Sequence, residues 1–204
     1  MISIEKKISG KIRAKGRGWA FSNQDFATYA LRSTIDWSLY TLHKKGAIRR
    51  VLRGIFDYPR FSKKLNRELP PDIDQVARAL GRKSKWDIEP SGQVALNILG
   101  LSTQVPAKYL YRWNGPNRSY KIGGTELTFR GTRTKDIGFR YYESGLIVQA
   151  LKSLGKERVD LETISRIRKW LEPELRSRII RDTATVTSWI HDAIQKICRE
   201  EADG

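Results

Sequence analysis

Arg49, Arg50 and Arg53 fall within five residues, and Gly54 follows them directly. Guanidinium groups at that density suit one chemistry above others, charge-assisted and often bidentate hydrogen bonds to phosphate oxygens. Gly54 permits a tight turn, so the three arginines would ride on a β-hairpin running from Ile48 to Tyr58. Just upstream, Arg32, Ser33, Thr34, Trp37, Ser38, Thr41, Lys44 and Lys45 interleave with Ile35, Leu39 and Leu42. The apolar three lie at i, i+4 and i+7 and predict a helix with an inner stripe. On its other faces, polar and basic side chains could reach base edges and phosphates. Arg17, in the Gly16-Arg17-Gly18 break, adds a further cation nearby.

Other chemistries have little support. His43 and His191 show no ligand spacing, and neither CxxC nor HExxH occurs, so no metal site is expected. Cys198 is the single cysteine and reads as a small buried residue. The string AKGRG at 14–18 lacks the ending and the preceding strand of a phosphate-binding loop, and Gly123-Gly124 reads as a hairpin turn. No cofactor and no small-molecule substrate is expected. The rival from another class is a metal-dependent nuclease built on Asp87, Glu89 and Lys108. No D…ExK cluster supports it, and Glu89-Pro90 looks like an element boundary. RNA binding is a third reading, and the lack of an evident aromatic platform on a sheet speaks against it.

The charge balance points the same way as the arginines. The 204 residues hold 39 Lys and Arg against 22 Asp and Glu, a formal net charge of +17. Residues 1–60 hold 13 against 4, residues 61–155 hold 16 against 8, and residues 156–204 hold 10 against 10. A polyanion is the partner such a surface suits, and the last quarter need not face it. No apolar run reaches membrane-spanning length, no secretory leader pattern opens the chain, and a lone cysteine fits a reducing compartment. A cytoplasmic protein without membrane contact is therefore expected.

The elements that would position these residues are legible in outline. Ser3 caps a first helix with Ile4, Ile8 and Ile12 on its buried stripe. Trp19-Ala20-Phe21 is a short β segment that pairs with the wing. Ser22 caps a second helix, with Asp25 at capping-box spacing and Phe26, Tyr29 and Ala30 inward. The Arg32–Lys45 helix and the hairpin complete a winged helix-turn-helix over residues 1–60. Residues 61–71 are expected as a linker. From 72 to 204 the pattern predicts an α+β domain: helices capped by Asp72 and Ser91, a strand from Val105 to Trp113, a hairpin at Gly123-Gly124, and a helix from Glu143 to Leu154. Lys108, Arg112, Arg118, Lys121, Arg130 and Arg133 on its strands form a possible second DNA surface. A helical tail from about 156 to 204 covers the sheet or meets a partner.

Four segments together carry a resemblance: GRGWAF (16–21), LHKKGAIRRVLRGIFDYPR (42–60), EPSGQVALNILGLSTQVPAKYLY (89–111) and SGLIVQALKSLGKERVD (144–160). The chain resembles the AbiEi-like antitoxins, in the branch grouped as DUF6088, over about residues 3–170. The resemblance implies a winged helix-turn-helix joined to an antitoxin domain. It also implies a type IV toxin–antitoxin system, in which the antitoxin represses its own operon through promoter repeats and counteracts a nucleotidyltransferase-like toxin encoded next door. On this reading the chain is not an enzyme, its partners are double-stranded DNA and that toxin, and Ser33–Lys45 reads bases. A plain winged-helix transcriptional regulator is the alternative nearest to it.

Overall fold

Ile4, Ile8 and Ile12 recur every fourth residue, and helix α1 (Ile4–Lys15) forms on that stripe, with Ile8 and Ile12 buried. Ser3 caps it by accepting from the Lys6 amide at 3.3 Å, and Gly16 ends it at φ 85°. The computed structural model describes residues 3–104, 106–132 and 138–199. Mixed helix and sheet fill two compact units, Met1–Asp87 with Tyr120–Leu127, and Ile88–Ser119 with Thr128–Gly204.

In the first unit, β1 (Ala20–Phe21) leads through a single 3₁₀ turn (Asn23–Phe26) to α2 (Arg32–Lys44). Sequence spacing predicts a full helix after Ser22, and the structure has one turn. The capping box is present: the Ser22 hydroxyl accepts from the Gln24 amide at 3.2 Å, and the Ser22 amide donates to the Asp25 carboxylate at 2.8 Å. Those bonds close the turn at Phe26, which is fully buried. Helix α2 then starts after Leu31 with no side-chain cap, so Ser33 lies inside it. At its other end the Gly46 amide donates to the His43 carbonyl and the Ala47 amide to the Leu42 carbonyl, both at 3.0 Å. That is a Schellman ending, and Gly46 at φ 69° supplies the left-handed residue it needs.

Strands β2 (Arg49–Leu52) and β3 (Ile55–Asp57) follow, and β1 pairs with β3 on its far side, giving the order β1-β3-β2. The core beneath them gathers Ile8, Ile12, Phe21, Phe26, Ile35, Leu39, Leu42 and Ile48. Burying each such side chain contributes on the order of 1.5–3 kcal/mol. Residues 61–71, expected as a linker, contain a small hairpin of β4 (Phe61–Ser62) and β5 (Arg67–Glu68). Nearly all its side chains are exposed, so no apolar alternation marked it. Helix α3 (Ile73–Ser84), capped by Asp72, belongs to this unit too. Arg82 pins it by donating to the Asp25 carboxylate at 2.6 Å and to the Ala20 carbonyl at 2.7 Å.

The second unit is built on the sheet order β6-β7-β9-β8, from β6 (Ile88–Pro90), β7 (Lys108–Trp113), β8 (Arg118–Ile122) and β9 (Thr125–Gly131). The residues around the β8–β9 turn group with the first unit. Val105, expected to open the β7 strand, lies outside the described residues. Helices α4 (Gly92–Ile98) and α5 (Tyr142–Leu154) pack at close range: a Cβ on Gly92 would come within 2.6 Å of the Ser153 Cβ. The last-quarter helices α6 (Leu161–Trp170), α7 (Arg176–Asp182) and α8 (Ser188–Cys198) share one buried core with α4 and α5, through Ile164, Ile167, Ile179, Ile190, Ile194 and Ile197. The helical tail is thus part of that core.

Candidate nucleic-acid interface

Successive residues on a helix point about 100° apart, so the buried residues of α2 fix which side faces solvent. Ile35, Leu39 and Leu42 are buried, as their spacing requires. Ser38 is buried as well, and its hydroxyl donates to the Thr34 carbonyl at 2.8 Å. Three residues after Ile35 and four before Leu42, it falls on the same inner stripe, so its expected place on the outer face is corrected. The centre of the exposed face is Ser33, Trp37, Tyr40 and Lys44. Thr34 is exposed beside it, and Thr41 is half-buried. Lys45 turns toward α1 and pairs with Glu5 at 2.7 Å.

Two aromatic rings dominate that face. Trp37 is 69% exposed and Tyr40 49%, their centroids are 5.6 Å apart, and the Lys44 ammonium lies 5.6 Å from the Tyr40 centroid. Large apolar rings left in water at neighbouring positions are a contact surface in waiting. Tyr40 is not among the contact residues expected from the sequence, although it shares the exposed face. Its place one turn from both Trp37 and Lys44 is the spacing that puts it on that face.

The three hairpin arginines separate into different environments. Arg49 is half-buried and turned inward: Nη2 and Nε meet the two Asp57 carboxylate oxygens at 2.6 and 3.1 Å, and Nη1 donates to the Leu69 carbonyl at 3.0 Å. The Asp57 side chain is 2% exposed. Burial pushes its carboxyl above the usual range, and the Arg49 hydrogen bond and charge pull it part of the way back. Arg50 and Arg53 are exposed, Arg53 in the turn where Gly54 adopts φ 74°. Arg17 is anchored, donating to the Pro59 carbonyl at 2.8 Å with its guanidinium 4.7 Å from the Tyr58 ring centroid. Arg32 is exposed and faces Asp36 one turn on at 3.6 Å.

The expected second surface is less concentrated. Lys108 and Arg112 occupy the exposed side of β7, alternating with Tyr109, Tyr111 and Trp113. Arg130 is exposed at the end of β9. Arg118 is exposed on β8, but strand alternation puts it on the side of Ile122, away from Lys121. Arg133 lies outside the described residues. Among the described residues, no group of three or more His, Cys, Asp or Glu is placed to hold a metal ion. Glu89, a candidate for nuclease chemistry, is 3% exposed and accepts from the Gln149 amide at 3.0 Å. Burial raises its carboxyl above the usual range. Asp87 is exposed. No described helix is long and apolar enough to cross a membrane.

A family model described as a family of unknown function, DUF6088, matches residues 7–179. No curated protein matches the chain.

Proposed function

The chain belongs to the DUF6088 family, and we propose that it is a cytoplasmic, non-enzymatic DNA-binding protein that acts as the antitoxin of a type IV toxin–antitoxin system. Its head, on this reading, is a winged helix-turn-helix. The 3₁₀ turn and α2 form the helical pair, α2 enters the major groove, and the β2–β3 hairpin is the wing. The observation that carries it is the exposed Ser33-Trp37-Tyr40-Lys44 face of α2, in a unit whose hairpin presents Arg50 and Arg53 to solvent. Phosphate neutralisation by these cations and by the lysines of α1 gives affinity, and side chains on α2 give sequence preference. Arg49 and Arg17 hold the wing in shape from within. Lys108, Arg112 and Arg130 are a candidate second grip on the duplex.

The antitoxin half rests on the sequence resemblance. It assigns the chain repression of its own operon and opposition to a nucleotidyltransferase-like toxin encoded next door. Two experiments test the halves separately. Gel shift with duplexes tiled across the region upstream of the gene should reveal a preferred site, and uniform weak binding along the whole region contradicts sequence reading. Co-expression with the neighbouring gene should rescue growth that the neighbour alone arrests. Absence of arrest, or arrest without rescue, contradicts the antitoxin role.

A further inference from the structure

Arg32 at the start of α2, Arg53 in the wing turn and Lys83 near the end of α3 line one open cleft of about 260 Å³ in the first unit. Lys83 lies beyond the helix-turn-helix and its wing in sequence. Helix α3 brings it there, because its neighbour Arg82 is pinned to Asp25 and Ala20. The Lys83 ammonium donates to the Arg53 carbonyl at 3.2 Å and rests against Gly54, where an added Cβ would come within 2.7 Å of Nζ. Among the described residues lining the cleft, Asp36 is the one carboxylate. Both its oxygens are engaged, Oδ1 by the Asn23 amide at 2.7 Å and Oδ2 by Arg32 at 3.6 Å.

Three cations and one carboxylate therefore face one space, and Asp36 is paired with Arg32, which leaves the cleft an excess of positive charge. Burial pushes the Lys83 ammonium below its usual range, the charges of Arg32 and Arg53 push it the same way, and Asp36 pulls it only part of the way back. An anion seated between them would relieve that repulsion and add charge-assisted hydrogen bonds. We propose that this cleft seats a backbone phosphate of duplex DNA, with Lys83 as a phosphate contact beside Arg32 and Arg53. The inference rests on the DNA-binding reading above, and it extends the DNA-contacting surface past the wing to α3.

The test is duplex binding by the full chain, followed by fluorescence anisotropy from about 50 to about 300 mM salt. Lys83→Gln should make the slope of log K against log salt shallower by about 0.9 and weaken binding about fivefold at about 0.15 M salt, the share of one phosphate contact. Lys83→Arg keeps the charge and should retain the parent slope. Lys85→Gln, an equal charge loss at an exposed position outside the cleft, should also retain it. An unchanged slope in Lys83→Gln overturns the inference while leaving DNA binding standing. An equal loss in Lys85→Gln overturns it too, because net charge and not the cleft would then set the slope. Saturable binding of pyrophosphate to the DNA-free chain, abolished in Lys83→Gln, would assign the cleft to a small free anion and overturn it as well. No duplex binding by the unsubstituted chain at about 50 mM salt removes the DNA reading and this inference together.

Discussion

Arg49→Ala should unfold the head more readily while leaving the exposed charges of Arg50 and Arg53 in place. Arg49 meets both oxygens of Asp57, whose side chain is 2% exposed, and it also holds the Leu69 carbonyl. Breaking a fully buried pair from one side costs roughly 3–5 kcal/mol, because the remaining charge loses its partner. Arg49 is 27% exposed, so water can enter the vacated space and part of that cost is recovered. The expected loss is about 2 kcal/mol, or a shift of roughly 1 M in the urea midpoint for a unit of this size. The loss should depend on pH. Burial already places the folded-state carboxyl of Asp57 above its ordinary 3.8, so its favourable contribution is complete below that value and is lost as the pH rises through the folded value. Removing Arg49 lifts the folded value further. The deficit of the variant is then greatest near neutrality and narrows as the pH falls into the acid range. Urea melts at several pH values, with DNA affinity measured under folded conditions, decide the matter. A parental urea midpoint combined with a several-fold loss of DNA affinity would refute the reasoning, since Arg49 would then be facing the duplex.

Three further outcomes follow from other parts of the fold. Trp37→Ala and Tyr40→Ala should change stability by less than about 0.5 kcal/mol, because both rings are exposed, yet weaken binding to the preferred duplex more than to unrelated duplexes; anisotropy on both duplexes checks this. Gly92→Ala should cost about 1–3 kcal/mol in chemical denaturation, since the added methyl would come within 2.6 Å of the Ser153 Cβ and 3.1 Å of the Gln149 carbonyl, forcing α4 and α5 apart. Burial pushes the Cys198 thiol up to about 11, so a thiol reagent near pH 8 should modify the folded chain far more slowly than the urea-unfolded one; comparable rates in both states would show that the C-terminal core opens readily.

Where apolar spacing was regular, the sequence predicted the elements closely. The stripe of Ile4, Ile8 and Ile12, the Asp72 cap and the Gly123-Gly124 hairpin all appear where spacing puts them. Two places were not legible, for local physical reasons. The stretch after Ser22 carries a genuine capping box, which promises a helix start but does not set how far the helix runs, and here one turn closes at Phe26. The β4–β5 hairpin has almost no buried side chain, so periodicity had nothing to register. The site was legible in composition and less so in geometry. Spacing put Arg49, Arg50 and Arg53 on one hairpin, but not the fact that Asp57, four residues beyond Arg53, would draw Arg49 inward. The contribution of α3 depends on a tertiary contact from Arg82 to Asp25, 57 residues apart, for which the sequence carries no local signal.

On the proposed reading, this head binds duplex DNA through α2 and the wing. Fluorescence anisotropy of the full chain on a duplex from the region upstream of its gene, titrated with salt, tests it most directly. Saturable binding is expected at about 50 mM salt, weakening steeply as salt rises, with the slope shallower by about one unit in Arg53→Ala. Absence of binding at low salt, or binding whose salt slope is unmoved by Arg53→Ala and Lys44→Ala alike, would contradict it.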